Sequence, residues 1–178
     1  TMMYTCGYWS KDVSTLEESQ IAKLDLVAKK LDLQPGMKIL DIGCGWGGAA
    51  KHFANNYGVT VVGITVSKEQ IEYAKQNADN MDVEFKLMDY RNLDEKFDAI
   101  YSIGMFEAVG YKNYREFFEI VRSSLKDNGV FLLHTIGSNE SITTTDPWIE
   151  KYIFPNGMMP SASQIAKASE EFFIFDDW

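Results

Sequence analysis

Two periods alternate along the chain. Leu16, Ile21, Leu24, Val27, Ala28 and Leu31 recur at helical spacing and predict a helix to about Asp32. Thr15 opens it, answered three residues on by Glu18 in a capping box. Pro35-Gly36 breaks the helix, and Met37–Ile42 is apolar enough to predict a strand. The pattern then repeats: a helix from about Trp46 to Tyr57, a strand Thr60–Ile64, and a helix Lys68–Ala78 opened by Ser67 with Gln70 in capping-box register. Strands follow at Val83–Met88 and Phe97–Ile103, then a helix Tyr111–Leu125 with Tyr114, Phe117, Phe118, Val121 and Leu125 on one face. Asp127-Asn128-Gly129 turns the chain into Val130–Ile136, whose near-continuous apolar run predicts a strand buried on both faces. Asp146-Pro147-Trp148 can open a short helix, and Phe172–Phe175 reads as the start of a sixth strand.

Strands alternating with amphipathic helices predict an α/β fold, a Rossmann-like, doubly wound, mostly parallel sheet. The 178 residues suffice for one domain with a real core. We divide them into an aromatic arm over residues 1–14, which lacks a period, and a single domain over residues 15–178. A formal charge of -9 argues against a nucleic-acid partner and offers no polybasic patch for an anionic membrane. No apolar run is long enough to span a bilayer, and a cytoplasmic protein is the expectation. Cys6 and Cys44 have neither disulfide nor metal-ligand spacing, so no metal is expected. The chain reads as a fragment, since it begins at a threonine and stops just after an aromatic run.

The candidate chemistry starts at Leu40-Asp41-Ile42-Gly43-Cys44-Gly45-Trp46-Gly47-Gly48, a strand, a glycine-rich turn and a helix start. In an open parallel sheet, ligands sit beyond the carboxyl ends of the strands. Gly43, Gly45 and Gly48 satisfy the dinucleotide spacing G-x-G-x-x-G, a weak signal by itself. Asp41 precedes the glycines, where it would repel a pyrophosphate and suit a cation or an amine. The acid expected at the end of the second strand for a ribose is absent, and Thr65 stands there instead. A nicotinamide dinucleotide therefore becomes the weaker reading.

The glycine segment resembles motif I of the S-adenosylmethionine-dependent methyltransferases. The blocks Tyr4-Thr5-Cys6-Gly7-Tyr8-Trp9, Gly63 to Gln70, Gly104-Met105-Phe106-Glu107, Leu133-His134-Thr135-Ile136-Gly137 and Tyr152 to Gly157 together resemble cyclopropane-fatty-acid synthases. That resemblance implies a methyltransferase-type sheet with S-adenosylmethionine bound by Tyr4, Thr5, Asp41, Gly43, Gly45, Thr65, Gln70, Asp89, Tyr90 and Ile103. It further implies a bicarbonate ion held by Cys6, Glu107, His134 and Ile136. On the residues alone, His134 reads as a core histidine, Gln70 equally as a cap, and Asp89 as a strand terminator. Cys6 has no basic neighbour in sequence to activate it as a nucleophile.

The implied reaction adds a methyl group to a cis double bond of an unsaturated phospholipid acyl chain and closes a cyclopropane ring. Methyl transfer leaves a carbocation, and closure needs a base beside an apolar site, which a hydrogen-bonded bicarbonate can supply. Aromatic faces can stabilise the cation. Such an enzyme would act in the cytoplasm and transiently at the inner face of the membrane. Two departures stand out: Ala108 occupies a position where the family usually has histidine, and the chain ends before the family's tyrosine ligand of the bicarbonate. An apolar edge at Phe172–Phe175 would invite a homodimer. Rival readings are a small-molecule N-methyltransferase, a cofactor-binding module without catalysis, and, more distantly, an NAD-dependent oxidoreductase.

Overall fold

The computed structural model describes residues 2–178. Its elements, in chain order, are α1 (Leu16–Lys30), β1 (Lys38–Ile42), α2 (Gly48–Tyr57), β2 (Thr60–Thr65), α3 (Lys68–Gln76), β3 (Val83–Leu87), β4 (Phe97–Ile103), α4 (Tyr114–Ser124), β5 (Leu125–His134), α5 (Pro147–Tyr152) and α6 (Ala162–Ser169). The strands form one 5-stranded sheet in the order β3-β2-β1-β4-β5, and every pairing is parallel. The predicted doubly wound α/β architecture is therefore present, with the reversal of strand order between β1 and β4. A ligand cleft in such a sheet belongs at that reversal, beyond the strands' carboxyl ends.

Successive strand residues point to opposite faces, and the two halves of the core follow that alternation. Ile39, Val61, Ala99 and Tyr101 pack with Leu24 and Val27 of α1, Phe53 of α2, and Ile71 and Ala74 of α3. Leu40, Ile42, Val62, Ile64 and Ile100 pack on the other face with Phe117, Phe118 and Val121 of α4 and Ile165 of α6. No helix among the described residues is long and apolar enough to cross a membrane.

Four expectations are corrected. Phe172–Phe175 forms no strand: Phe172 and Phe173 pack on the core beside α4, while Ile174 is almost fully exposed. The reason offered for a homodimer at that edge falls with it. The apolar run of β5 is half-buried rather than enclosed, because β5 is an edge strand with a neighbour only on the β4 side. Asp127 and Asn128 lie in an exposed irregularity between the Phe97–Leu125 and Ala99–Val130 pairs, so β5 begins before the predicted turn. Leu16 and Ile21 are exposed, and the buried face of α1 carries Ser19, Gln20 and Lys23 ahead of Leu24, Val27 and Ala28. The physical reason is the arm, which lies on that polar half. Tyr8 donates its amide to the Ser19 carbonyl at 2.9 Å, and Gly7 sits so close to the Ser19 side chain that a Cβ there would meet its Oγ at 2.3 Å. The Thr15–Glu18 capping box forms as expected.

Candidate functional site

The turn after β1 is held by backbone. The amides of Gly43 and Cys44 both donate to the Ile64 carbonyl of β2, at 3.0 and 2.9 Å. Gly43 has φ of 86°, a conformation that side chains rarely adopt, and a Cβ there would meet Met105 Cβ at 2.6 Å. Nothing lies within 4 Å of where a Cβ of Gly45 would stand. The turn thus opens backbone toward a cleft of about 310 Å³, in the size range of small-molecule sites. Thr5, Lys23, Asp41, Gly43, Gly45, Thr65, Gln70, Ile103 and Gly104 are among its lining residues. A separate cleft near Met37, Asp98 and Gly129 lies toward the opposite strand ends and gathers no comparable set.

Asp41 is buried at the end of β1, in register with Tyr101 of β4, and its Oδ2 has no hydrogen-bond partner. Burial pushes its carboxyl up to about 7, opposed weakly by the Tyr101 hydroxyl. A cation brought beside it would reverse that shift. An orphaned buried acid next to a glycine cradle fits the amine of an amino-acid tail, and therefore fits S-adenosylmethionine.

At the end of β2, the Thr65 hydroxyl donates to Gln70 Oε1 at 2.9 Å, while the Gln70 amide donates to Ser67 Oγ at 3.2 Å. Ser67 caps α3 as predicted, but the Gln70 side chain turns to Thr65 rather than closing the capping box. The cap and the cleft position therefore coexist. Asp89 and Tyr90 do not line the cleft. Asp89 caps a 3₁₀ turn and pairs with Arg91 at 2.6 Å, which holds its carboxyl below the usual range, and Tyr90 packs its ring on Phe117.

The arm crosses the cleft. Thr5 lies so close to Gly104 that a Cβ there would meet Thr5 Cγ2 at 2.4 Å. Tyr4 also lines the cleft, although its ring is mostly exposed. Two residues missed by sequence reasoning fasten this crossing. Gln20 Nε2 donates to the Thr5 carbonyl at 2.7 Å, and Lys23 Nζ donates to Thr5 Oγ1 and to Gln20 Oε1, each at 2.6 Å. Their signal was a polar pair one helical turn apart on the face that continues into Leu24 and Val27. The expected face ran through Leu16 and Ile21 instead.

A second group gathers beside the cleft. His134 ends β5 in register with Ile103, and its carbonyl accepts the Gly104 amide at 2.9 Å. Glu107 Oε1 accepts the Ile136 amide at 2.7 Å. Glu107 Oε2 and His134 Nδ1 are buried without a partner. Burial first, and then the Lys23 charge, lower the His134 pKa against a smaller opposing pull from Glu107, which favours a neutral imidazole. Glu107, His134 and Ile136 are thus brought together. Cys6 is exposed on the arm and is not among the residues lining the cleft. A neutral imidazole nitrogen beside a spare carboxylate oxygen suits a small ion that both donates and accepts hydrogen bonds, as bicarbonate does. The Ile136 amide is already engaged by Glu107. Ala108 lines the cleft next to Glu107, so a larger side chain there would narrow it. Among the described residues no group of side chains could hold a metal ion.

Residues 1–176 match the model of the mycolic acid cyclopropane synthetase family. The chain is 54% identical over 177 residues to the cyclopropane-fatty-acyl-phospholipid synthase of Escherichia coli strain K12, covering 99% of this chain and 46% of that protein. It therefore spans just under half the length of that relative. Among solved structures, the mycolic acid cyclopropane synthase CmaA1 complexed with SAH and CTAB superposes with a TM-score of 0.86 at 36% identity, over 95% of this chain and 65% of that one. Coclaurine N-methyltransferase bound to N-methylheliamine and SAH gives 0.79 at 31% identity, over 95% and 54%.

Proposed function

The chain belongs to the mycolic acid cyclopropane synthetase family, and we propose that it is the cofactor-binding part of an S-adenosylmethionine-dependent cyclopropane synthase acting on unsaturated phospholipid acyl chains. The observation that carries this reading is the meeting of two sites at one pair of strand ends. Ile103 and Gly104 line the cofactor cleft, while His134, in register with Ile103, and Glu107 stand immediately beside it. A methyl donor and a proton acceptor are needed within one small volume, and this junction supplies both.

S-adenosylmethionine supplies an electrophilic methyl group. The residues of this chain do the rest by position. Gly43 and Gly45 give close backbone approach, Thr65 and Gln70 offer a hydroxyl and an amide to the ribose, and Asp41 faces the amino-acid end. Tyr4, Thr5 and Ile103 close over the bound molecule; Asp89 and Tyr90, which the resemblance assigns to its adenine end, lie outside the lining of this cleft. Addition of the methyl to the double bond leaves a carbocation on the acyl chain, and loss of a proton from the added methyl closes the ring. Glu107 and His134 hold the base through their free Oε2 and Nδ1, the Ile136 amide fixes Glu107, and Cys6 is assigned to the same ion by resemblance; bicarbonate is the species we assign to this place. The enzyme works at the cytoplasmic membrane surface, where its phospholipid substrate resides.

The test uses the full-length protein with vesicles of cis-unsaturated phospholipid and labelled S-adenosylmethionine. Label in cyclopropane fatty acids supports the proposal. Label confined to a methylated amine, with none in lipid, overturns it in favour of a small-molecule N-methyltransferase.

A further inference from the structure

Lys23 is 4% exposed, yet no carboxylate among the described residues pairs with it. Its ammonium satisfies two of its three donors on Thr5 Oγ1 and Gln20 Oε1, leaving one N–H and the whole charge uncompensated. Burying a cation without a counter-charge is costly, and a fold seldom bears that cost for a hydrogen bond to threonine alone. Lys23 lines the same cleft as Asp41, and among the described residues it is the only cationic side chain that does so. Asp41 is the complementary case, a buried acid with a free oxygen.

Two opposite, uncompensated charges on one cleft describe a zwitterion. On the reading that this cleft holds S-adenosylmethionine, we propose that Lys23 is a cofactor-binding residue that takes the α-carboxylate of the methionine end while Asp41 takes its α-ammonium. The arm gives this pairing a second consequence. Lys23 also holds Thr5, so the ligand's carboxylate and the residue that crosses over it share one cation. Binding the amino-acid tail then strengthens the closure of the arm.

Calorimetric titration of this chain with S-adenosylhomocysteine, its carboxamide and 5′-methylthioadenosine, which lacks the amino-acid tail, tests the assignment without any turnover. Lys23→Met should lose about 10- to 100-fold in affinity for S-adenosylhomocysteine, as expected for one charged hydrogen bond, and stay within about 3-fold for 5′-methylthioadenosine. Lys23→Arg, which keeps the charge, should recover most of the loss. Equal losses for both ligands would show that Lys23 only clamps the arm, and no loss for either would remove it from the site; both outcomes overturn the proposal. If Lys23→Met does not fold, the wild-type chain decides: the carboxamide should bind about 10-fold or more weakly than the carboxylate, and parity overturns the proposal. Failure of the wild-type chain to bind any of the three overturns the cofactor reading itself.

Discussion

The ends of β1 and β2 and the ends of β4 and β5 lie side by side, yet they are built in opposite ways. Around the glycine turn the strands are enclosed, and the Gly43 and Cys44 amides are both committed to Ile64. Around His134 the strand is a half-buried edge, and the polar atoms that matter are side-chain atoms left over after internal bonding. A site made of backbone is fixed by the fold and binds whatever shape the fold admits. A site made of leftover side-chain atoms keeps its free energy of interaction for a ligand or a reacting group. Recognition therefore sits in the first region and reactivity in the second, with Gly104 and Thr5 as their shared border.

The sharpest way to break that division is Glu107→Gln in the full-length protein. The amide oxygen can still accept from Ile136, so the local fold should survive, while the charge and the second acceptor are lost. Turnover should fall by about 10²- to 10⁴-fold, the range for an impaired base, with cofactor affinity nearly unchanged. Equal losses in turnover and affinity would place Glu107 in the cofactor site instead. Next in size is Gly43→Ala, read by titration with S-adenosylhomocysteine and by thermal melting. Its methyl would meet Met105 at 2.6 Å in a backbone conformation costing roughly 1–2 kcal/mol for any L side chain. Cofactor affinity should fall about tenfold or more, with a lowered Tm. Unchanged binding would mean that the turn merely packs α2 on β1.

The same division explains what was legible in the sequence. The strand and helix periods, the glycine turn and the Ser67 cap are local patterns, and most appear with boundaries shifted by a residue or two, whereas α4 starts three residues later and β5 five residues earlier than predicted. Edge or centre is not a local property. Val130 to Ile136 reads as enclosed because its composition is apolar, and only the strand order reveals that one side is open. The sixth strand failed for a related reason, since Phe172 and Phe173 find burial against α4 without any strand partner. Lys23 and Gln20 were invisible because their purpose comes from the arm, which contacts α1 through a pairing no periodicity encodes. Asp89 shows the reverse case: its modest reading was a strand terminator, and it stands just past the end of β3, capping the 3₁₀ turn that follows.

The smallest predicted effect bears on Asp41, the buried acid of the backbone-built region. In the ligand-free protein burial pushes this carboxyl up to about 7, so it is mostly protonated at pH 6 and mostly ionised at pH 8. An α-ammonium interacts well only with the ionised form. Affinity for S-adenosylhomocysteine should therefore rise several-fold, and at most about tenfold, from pH 6 to pH 8, with a proton released on binding below pH 7. Asp41→Asn should bind more weakly at pH 8 and lose this dependence. The stability of the free protein should run the other way. Between about pH 4 and 7 the folded state keeps a proton that the unfolded chain has lost, so stability falls as pH rises through that window. Asp41→Asn should then melt higher than wild type at pH 8 and alike at pH 4, a trade of stability for recognition. Affinity that is flat with pH, together with an unchanged melting profile, would move the amine of the ligand away from Asp41 and leave the glycine backbone to hold the tail unaided.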